Sequence, residues 1–247
     1  FLRYIKLDYD ILDVRKLRSI IEKKEFSSEV INDTQQNLKC LIPDTIKAFI
    51  NAEIPLICGI RLYKFDESNS LAEKPFHAVI ISGYKEDITG NISEIYIHDD
   101  QKGPYSIVTN ASADDSFLEW NCKWTEDNEY DKAEVEILII PTYPKMRTIY
   151  NKIYPSLMEE RAKYSNLYFE LKLYSIQKYK TDLLTMQFDD KINILKRSLP
   201  RFVWVLSSYN LFNGSISDKV YDATSHNVEP IGKTIIFNDY SNCLNPP

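Results

Sequence analysis

Glycine is scarce in this chain, at 6 of 247 residues, and proline is modest at 11. Collagen-like repeats and Gly/Ser linkers are excluded on that ground. Cysteine is sparse too: Cys40, Cys58, Cys122 and Cys243 are too few for a disulfide scaffold. None belongs to a C-x-x-C pair, and no histidine stands at zinc-ligand spacing from one, so neither a structural metal nor any other cofactor is expected. No apolar run approaches the roughly 20 residues of a membrane span. Residues 1–5 do not form a basic region leading into an apolar one. A cytoplasmic, reducing setting with no membrane partner is the expectation. Positive charge is in deficit, with 30 Lys and Arg against 36 Asp and Glu, a net charge of −6. That balance argues against nucleic acid as a partner. The chain opens on Phe1, not Met, which leaves room for it to be an internal piece of a longer protein.

What is present is the material of a packed core. Hydrophobic residues make up 44% of the chain, and its 17 Tyr and 11 Phe are spread along it, so disorder is not the dominant state. Residues 8–24 carry an apolar stripe at helical spacing (Ile11, Leu12, Val14, Leu17, Ile20, Ile21). Residues 27–39 read as a polar loop, and Pro43 opens a short helix to Ile50. Three strands follow: 54–62 (IPLICGIRL), 77–84 (HAVIISGY) and 94–98 (EIYIH). The short polar link with Thr89-Gly90-Asn91 predicts that the last two pair antiparallel. Residues 110–132 read as an acidic loop and 135–140 (VEILII) as a further strand. From 146 to 171 the apolar period becomes helical, with Pro155 breaking it and Ser156-x-x-Glu159 as a capping box. A short helix at 189–199 and strands at 201–206, 219–222 and 233–237 complete the reading. The Pro-containing stretch 141–144 is the candidate boundary between two modules.

Only three histidines are available for proton transfer: His77, His98 and His226. His77 opens an apolar strand, where a ring nitrogen can face a cleft. If strands 77–84 and 94–98 form a hairpin, Asp99 at the end of the second lies beside His77. A carboxylate there would orient the imidazole, the base-and-orienter half of a Cys-His-Asp triad. The bland alternative is a structural histidine next to a turn. Asp222 and His226 form a second polar pair, for which an Asx turn is the simpler account. Tyr150, Tyr154, Tyr164, Tyr168, Tyr174 and Tyr179 read as core packing on a helix or, less simply, a partner surface. The lysines from 172 to 196 are interleaved with acids, as on a solvated face.

The ordered series IPLICGIRLYKF, PFHAVIISGYK and ISEIYIHDDQKGP resembles the papain-like cysteine peptidases of the bacteriocin-leader-processing type over residues 43–108. The resemblance implies an α+β protein: a papain-like fold with an antiparallel sheet over residues 1–144, plus a smaller C-terminal α+β module over 145–247. It implies a bacterial protein that hydrolyses a peptide or amide bond, with a peptide or protein substrate. His77 matches the family's general base and Asp99 its orienting carboxylate. Asp100 stands where the family usually has proline, so the choice between Asp99 and Asp100 stays open. The family's nucleophile is a cysteine at a helix start, after a glutamine. Gln35 and Gln36 before Cys40 mimic that order, but Cys40 lies just before the Pro43 helix that leads into the central strand, which is the wrong place for it. Cys58 reads as core, Cys122 as packing between Trp120 and Trp124, and Cys243 as tail. The nucleophile is therefore expected upstream of Phe1. The alternative is a peptidase-like scaffold without catalysis, binding a peptide or protein. The oligomeric state is left open.

Overall fold

A computed structural model describes residues 9–23, 28–65, 71–112, 116–121, 130, 132–142, 146–147, 150–164, 167–185, 195–210 and 215–237. The chain divides into two units, Phe1–Thr142 and Tyr143–Pro247. The first contains β1 (Tyr9–Asp13), α1 (Val14–Lys23), α2 (Ser28–Ile50), β2 (Leu56–Phe65), β3 (Leu71–Glu86), β4 (Ile92–Asp99), β5 (Gly103–Asn110), β6 (Glu119–Asn121) and β7 (Lys132–Pro141). Strands β2 to β6 pair in sequence order, β7 pairs back onto β2, and β6 pairs onto the opposite edge of β7, closing a six-stranded antiparallel barrel. Strand β1 adds to the other half of the same β7 edge, through Tyr9–Asp13 against Ile137–Pro141.

Alternation decides which side chains fill the barrel. Leu56, Cys58, Ile60 and Leu62 of β2 are buried, as are Val79 and Ile81 of β3, Ile95 and Ile97 of β4, and Leu138 and Ile140 of β7. Each such aliphatic side chain stabilises the fold by about 1.5–3 kcal/mol on leaving water. On the outer face the Phe76 ring packs against Gly59. A Cβ there would stand 2.3 Å from the Phe76 ring and 2.5 Å from Ile137 Cγ2. Helix α1 is fixed to the barrel by Arg18, which pairs with Glu134 and donates to the Leu118 carbonyl, and by Arg15 on the buried Glu136.

The second unit holds α3 (Tyr150–Lys163), β8 (Leu167–Ser175), α4 (Ile176–Thr185), β9 (Phe202–Asn210), β10 (Ser215–Asp222) and β11 (Pro230–Phe237). Its four strands form an antiparallel sheet in chain order. The Tyr150 ring of α3 packs against Trp204 at a tilt of 51°, with centroids 5.9 Å apart. On the opposite face Tyr179 and Leu183 of α4 pack with Val203, Val205 and Val220. A helix on each face explains why β9 is buried at six consecutive residues, from Phe202 to Ser207.

This architecture overturns the papain-like α+β expectation: the chain is mostly β, with a closed barrel and a second sheet. Local differences explain the error. Residues 8–24 split into a strand and a helix at Asp13–Val14. Helix α2 runs unbroken from Ser28 through Pro43, so 28–39 is helical where a polar loop was expected, and no short helix starts at Pro43. Pro155 likewise lies inside α3, and Ser156-x-x-Glu159 caps nothing. The helical run from 146 to 171 ends early. Residues 167–175 form a strand, because Phe169, Leu171 and Leu173 are buried at a period of two. Tyr150 and Tyr154 therefore sit on a helix, whereas Tyr168 and Tyr174 sit on that strand. Part of the acidic stretch 110–132 is the short closing strand β6. Most of the helix expected at 189–199, and both Cys122 and Cys243, lie outside the described residues. Among the described residues no helix is long and apolar enough to cross a membrane.

Candidate functional site at the turn between β4 and β5

The hairpin of β3 and β4 brings His77 and Asp99 together. His77 faces Ile60 across the β2–β3 ladder and continues the inward row of Val79 and Ile81. Asp99 continues the inward row of Ile95 and Ile97, so a carboxylate ends an apolar row and its side chain is fully buried. A register shift after Ile97 and the left-handed Gly103 (φ 87°) turn the chain back into β5. Asp99 Oδ1 accepts the backbone N–H groups of Gln101 at 2.6 Å and Lys102 at 3.2 Å. That Asx arrangement aims the other oxygen, Oδ2, at His77 Nε2, 3.0 Å away.

Electrostatics fix the roles within the pair. Burial works to raise the Asp99 pKa, but the Gln101 N–H, the His77 ring and the Lys102 N–H outweigh it and hold the carboxyl below its ordinary value. An ionised Asp99 has no proton to give, so His77 Nε2 donates. The basic lone pair of the neutral ring then resides on Nδ1. The His77 side chain keeps 15% of its exposure, so it is not sealed inside the barrel.

Asp100 stands apart from this bond. Its Oδ1 is 3.7 Å from His77 Nε2, and its side chain is 81% exposed. The three residues nevertheless present one ring nitrogen and two carboxylate oxygens within 4.8 Å of one another. Two adjacent aspartates before a Gly-Pro turn carried no metal signal in the sequence, because the histidine is 22 positions upstream.

Neither described cysteine is placed as an activated thiol. Cys58 is fully buried in the barrel, and burial pushes its thiol far up from the ordinary value. Cys40 is the thirteenth residue of α2 (28 to 40), half-buried in mid-helix and not ahead of a helix. The dipole that lowers a thiol pKa acts only within the first turn, so it does not reach Cys40. His98 faces outward and meets the Tyr105 ring at 4.6 Å. Asp222 holds a turn by accepting the N–H and hydroxyl of Thr224, both at 2.7 Å, and His226 is exposed beyond it. No protein-family model, no curated protein and no solved structure matches the chain. A functional reading therefore rests on the residues and their geometry.

Proposed function

We propose that this chain carries the proton-transfer half of a thiol hydrolase acting on peptide or amide bonds. His77 is the general base, through Nδ1, and Asp99 its orienter. The observation that supports this reading most is the 3.0 Å bond from His77 Nε2 to a buried carboxylate that is itself fixed by two backbone N–H groups. In the reaction Nδ1 takes the S–H proton as the thiolate attacks the carbonyl carbon. The imidazolium then returns that proton to the leaving amine, and water activated by the same nitrogen releases the acyl group. Asp99 stabilises the imidazolium without becoming protonated. The nucleophile lies outside the described residues.

The positions of Cys40 and Cys58 favour a second reading, in which the chain is a non-catalytic scaffold that binds a peptide or protein. Labelling with an electrophilic thiol probe at neutral pH separates the two, on the full-length protein and on His77→Ala. The hydrolase reading expects fast labelling of one cysteine that slows by at least about 100-fold in His77→Ala. Slow labelling, equal in both proteins, removes the activated thiol and leaves the scaffold.

A further inference from the structure

We propose that His77, Asp99 and Asp100 form a binding site for a divalent transition-metal ion of the zinc class, and that the ion silences the base. The site itself rests on geometry; the silencing rests on the proton-transfer role of His77 proposed above. His77 Nε2 stands 3.0 Å from Asp99 Oδ2 and 3.7 Å from Asp100 Oδ1. An ion about 2.0–2.1 Å from each atom would see those separations as ligand angles of roughly 95° and 130°, on either side of the tetrahedral value. The ligand set is not a cluster of acids alone. A ring nitrogen selects zinc-class ions over calcium or magnesium, which take oxygen ligands. Two carboxylates and a neutral imidazole also balance the charge of a divalent cation.

The surroundings suit such an ion. Asp99 is already oriented by the N–H groups of Gln101 and Lys102, the kind of outer support that fixes a metal ligand. Asp100, at 81% side-chain exposure, is able to swing the short distance needed to close the set and marks the side open to solvent. Three protein ligands leave a fourth position for water. Binding through Nε2 displaces the proton held there, and the neutral ring carries its one proton on Nδ1 instead. The nitrogen that would accept a thiol proton is then occupied. Proton and metal ion compete for one atom, and the hydrogen bond to Asp99 is what the ion replaces.

The test is isothermal titration of the full chain with zinc chloride in a non-chelating buffer, alongside His77→Ala and Asp100→Asn. Imidazole nitrogen NMR of His77 serves as a second readout. One saturable equivalent is expected. His77→Ala should abolish it, and Asp100→Asn should weaken it by more than about 10-fold. Zinc should move the His77 proton from Nε2 to Nδ1. Asp100→Asn changes an exposed side chain, so its fold and its metal-free tautomer should match the native protein. Absence of a saturable equivalent, or zinc uptake unchanged in His77→Ala, would overturn the site. Zinc uptake as expected together with His77-independent thiol labelling would keep the metal site and remove the hydrolase reading. The converse pair of results would do the reverse.

Discussion

Barrel closure depends on a strand of three residues, and Trp120 at its centre is the place to test it. Trp120 is fully buried, and its indole Nε1 donates to the Phe117 carbonyl at 2.9 Å. Phe117 is itself held in the left-handed region at φ 53°, a conformation that costs a non-glycine residue about 1–2 kcal/mol. Two bonds clamp it there: its N–H donates to Asn110 Oδ1 at 3.2 Å, and its carbonyl accepts from Trp120. Trp120→Phe keeps an aromatic ring but removes the second clamp. A buried carbonyl left without its donor costs about 1–3 kcal/mol. The space vacated by the smaller ring adds about 1 kcal/mol. The total is about 2–4 kcal/mol, or a melting temperature lower by roughly 5–15 °C for a unit of this size. Urea unfolding of the native protein, Trp120→Phe, Asn110→Ala and the double variant measures it. The two single losses should be non-additive, because both act on the same turn. A loss below about 0.5 kcal/mol for Trp120→Phe would show that β6 does not hold the barrel shut.

Two other expectations concern buried titratable groups. Cys58 should resist alkylation in the native state and react only after unfolding, because burial disfavours its thiolate; native-state labelling of Cys58 as fast as that of Cys40 would contradict its placement. Asp218 is buried between Ser207, which donates at 2.7 Å, and Tyr179, and burial raises its pKa above the ordinary value. A carboxyl raised in this way contributes its full stability below the unfolded-state pKa and loses it as pH rises through the folded-state value. Asp218→Asn should therefore gain on the native protein at neutral pH and lose that advantage on acidification, in urea melts across pH. An advantage that grows towards acid would have the wrong sign.

Legibility in the sequence followed locality. The β3–β4 hairpin was readable because Thr89-Gly90-Asn91 marks its turn, and the structure pairs Ile81 with Ile97 and Tyr84 with Ile95 across it. From that pairing the approach of His77 to Asp99 followed. Barrel closure was not readable, since Trp120 meets Ala133 through a strand too short to show alternation. Residues 164–171 misled for another reason: Tyr164, Leu167, Tyr168 and Leu171 satisfy helical spacing, while Phe169, Leu171 and Leu173 satisfy the strand period. Only the cross-strand partners Ser208, Leu206 and Trp204 decide between them. Pro43 carried too much weight as a helix start and Pro155 as a breaker, for both are tolerated inside helices. The nearness of Asp100 to the ring was hidden because alternation along a strand sends neighbouring residues to opposite faces, and a turn abolishes that rule.

The central claim is that Asp99 holds a proton on His77 Nε2 and leaves Nδ1 basic. Long-range proton–nitrogen NMR of the histidine ring, recorded without added metal ions, reads this directly. The native protein should show His77 as the Nε2–H tautomer, and Asp99→Ala should release it to a mixture of the two. A native ring protonated on Nδ1, or a tautomer unchanged in Asp99→Ala, would contradict the account.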